Sequence, residues 1–394
     1  MDDDRNADGP GADEPSADGQ GSSGPGSVGP GSVGPGADRQ GSGGPGSVGP
    51  GSDGQGSDGQ GSDRPGSNGS GSNGSGSDGS GSDGQAADGQ GSDGPGADRQ
   101  GADRQGSGGP GSGGPGSAAA RITGRTVRGA RPLSGAVAEV RLDDGRSVMV
   151  KRAEDPGSAR AEAAGLRWLA EAGTVPVPYV HGHEARWLVT DLVAQGRPTA
   201  RAARRFGQRL AALHAAGAPA FGAPPPGGPV DAYIGLAPMR NVPGTDWPHW
   251  YAEHRVLPYL RAAVDRGTIR PTETAVVERV CERLPELAGP AEPPARLHGD
   301  LWSGNVLWGA DGEVWLIDPA AHGGHRETDL AMLHLFGCPH LRDILDGYRH
   351  TTPLADGWAD RIALHQLFPL LVHAVLFGRG YAEQALTAAR SALA

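Results

Sequence analysis

The chain has 394 residues and a formal net charge of −11 at pH 7, with 69 glycines, 34 prolines and 5% aromatic residues. Its 2 cysteines are too few for a disulfide framework, so a reducing cytoplasm is the expected location. No apolar run approaches the roughly 18 residues a membrane span needs, and no strong basic patch marks a nucleic-acid partner.

Residues 1–117 are built almost wholly from Gly, Ser, Asp, Pro, Gln and Ala, with no aromatic side chain. They hold 17 acidic and 5 basic residues, a net of −12, so the remainder of the chain carries about +1. The acidity therefore says nothing about an active site. The stretch "GSDGQGSDGQGSDRPGSNGSGSNGS" repeats every five residues. Collagen needs glycine at every third position, and a solenoid needs apolar residues to stack inward. The expectation is a disordered acidic coil with nothing to bury, and no partner can be named for it. Its start, Met1-Asp2-Asp3-Asp4, is the reverse of a secretory signal.

From 118 onward apolar residues appear at ordinary density, and roughly 275 residues remain for folded structure. Residues 122–153 read as a meander of strands, in which "VAEVRLDDGRSVMVK" alternates around a turn at Asp143-Asp144-Gly145. "SARAEAAGLRWLAEAG" reads as a helix capped by Ser158 and stopped at Gly173. "RWLVTDL" is a short inner strand. Residues 198–216 are helical, with Leu210 and Leu213 inward. A Pro/Gly-rich loop follows over 217–245, then helices over 247–264 and 272–287. "RLHGDLWSGN" is a loop, "NVLW…EVWLID" a hairpin, and the rest, from about 327, is helical. Strands first and helices later give an α+β architecture. A small antiparallel β lobe with one helix, residues 118–192, joins a mainly α-helical large lobe, residues 193–394.

The loop concentrates polar groups. Asp300 is followed five residues later by Asn305, and Asp318 stands at the end of an apolar strand. A carboxylate and an amide oxygen suit Mg2+, a hard ion that prefers oxygen. With Asn305 and Asp318 as its ligands, Asp300 is free to accept a proton from a substrate hydroxyl. The other half of a phosphotransferase is found upstream. Lys151 ends a strand, and Glu162 shares a helix face with Leu166 and Leu169, so it is carried inward and needs a partner. Lys151 is that partner; Glu154 and Glu171 are rival acids that read as exposed. Such a pair holds an ammonium over the α- and β-phosphates of ATP. The phosphate loop is sparse: only Gly135 follows Ser134, with no G-x-G-x-x-G and no Walker motif.

"HGDLWSGN" followed by "IDPAAHGGHRETDLAM" resembles the fructosamine kinase (ketosamine-3-kinase) family, a branch of the aminoglycoside-phosphotransferase-like, protein-kinase-like bilobed fold. "DWPHWYAEHRVLPYL" and "LHQLFPLLVHAVLFGRGY" are similar to that family's large-lobe helices, so the likeness runs from about 122 to the end. The resemblance implies ATP-dependent phosphorylation of a sugar hydroxyl on a ketoamine, either a small molecule or a glycated protein. It implies that Thr190, Asp191 and Leu192 form the hinge that meets adenine through backbone groups. Trp302 becomes a wall of the sugar site, and Ser303 and His325 join it as substrate-site candidates. Asp329 is expected to brace the catalytic loop, and His298 to fix it by hydrogen bonding. Better-known members carry a Gly-rich loop with a cysteine before the lysine strand; this chain has neither, so redox control there is not expected. His322 and His325 have H-x2-H spacing, but no third ligand accompanies them, so no metal is read there. Two other readings stay open. One keeps the machinery and takes another alcohol, such as an aminoglycoside or choline. The other is a non-catalytic kinase-like binding module.

Overall fold

The computed structural model describes residues 113–394, so 1–112 of the acidic coil expected over 1–117 lie outside the described residues. Regular structure begins slightly before the expected boundary at 117. Pro115–Thr123 forms helix α1, with proline in its first turn and Gly124, at φ 68°, closing it in the left-handed region. Ala118 and Ala119 are fully buried because only small side chains let this helix lie close against the sheet. Ile122 belongs to α1 and not to a strand meander, which corrects that expectation.

Five strands follow: β1 (Val127–Pro132), β2 (Val137–Leu142), β3 (Ser147–Arg152), β4 (Val180–Glu184) and β5 (Trp187–Asp191). They form one antiparallel sheet in the order β1-β2-β3-β5-β4, so β5 is an inner strand as expected. The two-residue period of β3 sorts its side chains. Val148 and Val150 pack under α1 with Val140 and Val189, while Met149 and Lys151 point to the opposite face.

Helix α2 (Pro156–Glu171) lies between β3 and β4 in sequence. Its N-cap is Asp155, whose carboxylate accepts the Gly157 N–H at 2.8 Å. Ser158 was the expected cap. Pro156 fixes the first helical φ and moves the start earlier, leaving the Ser158 hydroxyl to donate to the Asp155 carbonyl.

The remaining body is mainly helical. It comprises α3 (Ala200–Ala215), α4 (Trp247–Tyr251), a π turn (Ala252–Val256), α5 (Leu257–Asp265), α6 (Ala275–Leu287), α7 (Arg326–Leu335), α8 (Leu341–Thr351), α9 (Ile362–Phe377) and α10 (Arg379–Ala392). Leu210 and Leu213 are fully buried. The expected loop over 217–245 is corrected in part: β6 (Asp231–Ile234) and β7 (Ala237–Arg240) pair as a hairpin. Four short strands carry the polar loop. They are β8 (Ala295–Leu297), β9 (Val306–Trp308), β10 (Val314–Leu316) and β11 (His322–Gly324), paired β9–β10 and β8–β11. Among the described residues no helix is long and apolar enough to cross a membrane.

Candidate active site

β3 delivers Lys151 to the edge of a cleft, and α2 turns Glu162 toward it on the face shared with buried Leu166 and Leu169. The Lys151 ammonium lies 2.9 Å from Glu162 Oε2 and 3.0 Å from Asp318 Oδ1. Burial works against that charge, but the carboxylates of Asp318 and Glu162 outweigh it and hold the Lys151 pKa above its ordinary value. Burial and the neighbouring Asp318 push Glu162 the other way from a surface carboxylate, upward, against the pull of Lys151.

The loop after β8 is held from below. Asp329, fully buried in the first turn of α7, accepts the N–H of His298 at 2.8 Å and of Gly299 at 2.9 Å. Gly299 sits at φ 81°, and a β-carbon there would run into the Ala320 carbonyl, so the turn requires glycine. His298 Nε2 is 2.9 Å from the Ile317 carbonyl, which makes that nitrogen the donor and leaves Nδ1 to accept the Asp300 N–H at 3.3 Å. His298 therefore fixes the loop, as expected. The Asn305 amide donates to both the carbonyl and the carboxylate of Asp300, at 2.8 and 3.1 Å. Burial, with the Asp318 carboxylate adding to it and the Asn305 amide opposing, pushes Asp300 up to about 7. Asp318 follows β10 at φ 53°, a left-handed conformation that few non-glycine residues adopt and that costs on the order of 1 kcal/mol.

A cleft of about 480 Å³ opens over these groups. Gly135, Lys151 and Glu162 line it from the sheet side; Asp300, Asn305 and Asp318 line it from the loop. Lys151 pairs with Glu162 and Asp318, and Asp300 and Asn305 line the cleft beside them. Asp318 and the Asn305 amide oxygen are hard oxygen donors that fit a divalent cation of the Mg2+ kind.

Other expected site residues divide. Thr190 lines a smaller recess with Met149, Lys151 and Ile317. Asp191 turns its carboxylate to His181 at 2.8 Å, and Leu192 packs on Val137 and Met149; neither lines the cleft or the recess. Trp302 lines the cleft, whereas Ser303 sits in the 3-10 turn Ser303–Asn305 and does not. His325 as a substrate contact is corrected. It is 3% exposed and caps α7 by accepting the Glu327 N–H. Glu327 and His365 complete a cluster of possible ligands around it. However, Arg361 already donates to both Glu327 oxygens, at 2.9 and 2.7 Å, so the carboxylate is committed to an ion pair. Sequence reasoning missed Tyr233, His373 and Phe377, which also line the cleft. The only signal was an aromatic or histidine at the ends of segments read as loop and helix.

A five-stranded sheet carrying two helices, α1 and α2, where one was expected, set beside a helical body with a lysine–carboxylate pair at the cleft, is the kinase-like fold of a phosphotransferase. The chain belongs to the fructosamine kinase family, whose model matches residues 125–394. It is 38% identical over 244 residues to a protein assigned as a ketoamine kinase in Synechocystis sp., covering 60% of this chain and 79% of that one. It is 30% identical over 249 residues to the chloroplastic protein-ribulosamine 3-kinase of Arabidopsis thaliana, covering 61% of this chain and 73% of that one. A crystal structure assigned as a fructosamine-3-kinase from Thermobifida fusca superposes with a TM-score of 0.66 at 50% identity, over 71% of this chain and 99% of that one.

Proposed function

We propose that this chain transfers the γ-phosphoryl group of ATP to a sugar hydroxyl of a ketoamine, with Asp300 as base and Asn305 and Asp318 as Mg2+ ligands. One observation carries the reading: Lys151 bridges Glu162 and Asp318 directly beside Asp300 and Asn305. In this reading residues 118–192 bind the nucleotide and 193–394 the acceptor. Lys151, held by two carboxylates, presents its ammonium to the α- and β-phosphates. The backbone at Gly135 approaches the phosphates, and Thr190, which lines the smaller recess, borders adenine. Mg2+, when bound, neutralises charge that develops on the phosphates. Asp300, raised toward neutrality, orients the acceptor hydroxyl and takes its proton. Trp302 lies against the sugar and keeps water from the reacting hydroxyl. Both cysteines are free, which suits a reducing cytoplasm.

Asp300→Asn tests it. Turnover of ribulosyl- or fructosyl-lysine should fall by roughly 10²–10⁴-fold while the ATP dissociation constant stays within about twofold. Near-normal turnover would remove Asp300 from the mechanism. Kanamycin or choline outperforming both ketoamines would move the acceptor to another alcohol. ATP binding without turnover of any acceptor would leave a binding module.

A further inference from the structure

The cleft is divided by charge. Its charged residues, Lys151, Arg152, Glu154, Glu162, Asp300 and Asp318, belong to the small-lobe side and the polar loops. The uncharged part of the lining includes Ile234 and Leu236 of the β6–β7 hairpin and Val372, His373, Leu376 and Phe377 of α9, and Trp302 of the polar loop also lines the cleft. This apolar lining continues outward. Phe336 stands edge-on to Trp302, ring centroids 6.0 Å apart, and lies 5.1 Å from His373. His373 lies 5.4 Å from Phe377 and 5.0 Å from Tyr381. Its Nδ1 is 2.7 Å from the Pro369 carbonyl, and burial pushes its pKa down, so the ring is neutral near pH 7.

Five large hydrophobic residues are exposed among the described residues; Phe336 and Phe377 both lie against His373, and Leu236 lines the cleft together with Phe377. Single exposed apolar residues are ordinary, but a contiguous group joined to a cleft marks a contact surface. The acceptor hydroxyl has to reach Asp300, which places the sugar beside Trp302. The ketoamine nitrogen is only a few bonds from that hydroxyl, so whatever the amine carries runs along the aromatic wall. A carboxylate there would lose water against the negative faces of these rings and meet no cation in the apolar lining. An aryl or alkyl group would cover rings that otherwise face solvent.

We propose that the preferred acceptor is a small ketoamine whose nitrogen bears an uncharged apolar or aromatic substituent, held by Leu236, Phe336, His373 and Phe377. This rests on the reading of Asp300 as the group that meets the sugar hydroxyl. The test is a coupled ATP-turnover assay on ribulosyl adducts of methylamine, phenethylamine, glycine and the lysine side chain, and on a ribulosylated peptide. The phenethylamine adduct should exceed the glycine and free-lysine adducts by about tenfold or more in kcat/KM, chiefly through KM. Phe336→Ala and Phe377→Ala alter half-exposed side chains, so both variants should fold. Each should shrink the ratio of phenethylamine to methylamine adduct toward one. A glycine, lysine or peptide adduct matching the phenethylamine adduct would overturn the proposal, as would a ratio untouched by both substitutions. Turnover of none of these adducts would sink the ketoamine reading itself and this inference with it, a result distinct from turnover without preference.

Discussion

Asp329 touches neither the cleft nor any group expected to react, yet it sets the position of Asp300. Its two oxygens each accept a backbone N–H from the loop, and Oδ2 also takes the His214 ring at 3.2 Å. Burial alone would raise its pKa, but these donors win and hold it below the usual carboxylate range. An asparagine has the same shape but offers one acceptor and turns an NH2 toward an N–H donor. Asp329→Asn should therefore lose about 2–4 kcal/mol of stability in a denaturant titration. It should also reduce kcat by roughly 10²-fold through displacement of Asp300, with ATP affinity changed far less. Full kcat in a folded variant would mean that the loop keeps its shape without this anchor. Asp318 poses a related case, since its left-handed backbone is a local cost retained where the carboxylate meets Lys151.

Among the elements, α2 is held from both sides of the cleft. Asp155 at its start receives the Tyr233 phenol from the β6–β7 hairpin, and Arg160 donates to the Gly227 carbonyl at 3.2 Å. In its middle, Gly165 faces Pro319 and Ala321. A β-carbon there would lie 3.1 and 3.2 Å from their side chains, closer than ordinary contact. Gly165→Val adds two methyls to that crowding, so α2 has to move and carry Glu162 away from Lys151. The expected outcome is a loss of about 1–3 kcal/mol in stability and weaker ATP binding by calorimetry. Unchanged ATP affinity would show that the pair tolerates displacement of the helix. The Lys151–Glu162 pair was legible because the i, i+4, i+7 spacing of Glu162, Leu166 and Leu169 decides which way a helix face turns. The β9–β10 hairpin was legible for the same kind of local reason. By contrast, α1 hides in "PGSAAARIT", whose composition continues that of the preceding tail. The β6–β7 hairpin hides behind prolines and glycines. The β8–β11 pair joins three-residue strands far apart in sequence, so nothing local announces it. His325 was misread because its motif position matched a family pattern, while its burial depends on α9 packing over it.

At the scale of the whole molecule, burial of histidine makes stability depend on pH in a direction that can be worked out. His298, His322, His325 and His365 are all buried, and burial pushes each pKa down, His322 to about 3. An unfolded chain binds protons at these sites below about pH 6.5, and the folded chain does not. Their contribution is therefore complete above pH 6.5 and is lost as pH falls below it. Asp300 and Glu162 act oppositely, since their raised pKa values let the folded chain hold protons that the unfolded chain has released above about pH 4.5. Between pH 5 and 6 these imidazoles outnumber the two raised carboxyls, so the unfolded chain binds more protons than the folded one and stability should rise with pH. Glu327, held down to about 2 by the bonds from His365 and Arg361 against its burial, adds to the acid loss only below about pH 4.5. Urea titrations of the nucleotide-free protein at pH 5, 6 and 7.5 would measure the slope. His322→Asn keeps a donor for the Ala320 carbonyl, which His322 Nδ1 meets at 2.8 Å, and should reduce the slope by about one proton. A slope of zero or of opposite sign between pH 5 and 6 would mean that the active-site carboxyls, not the buried imidazoles, govern the acid limit of this fold.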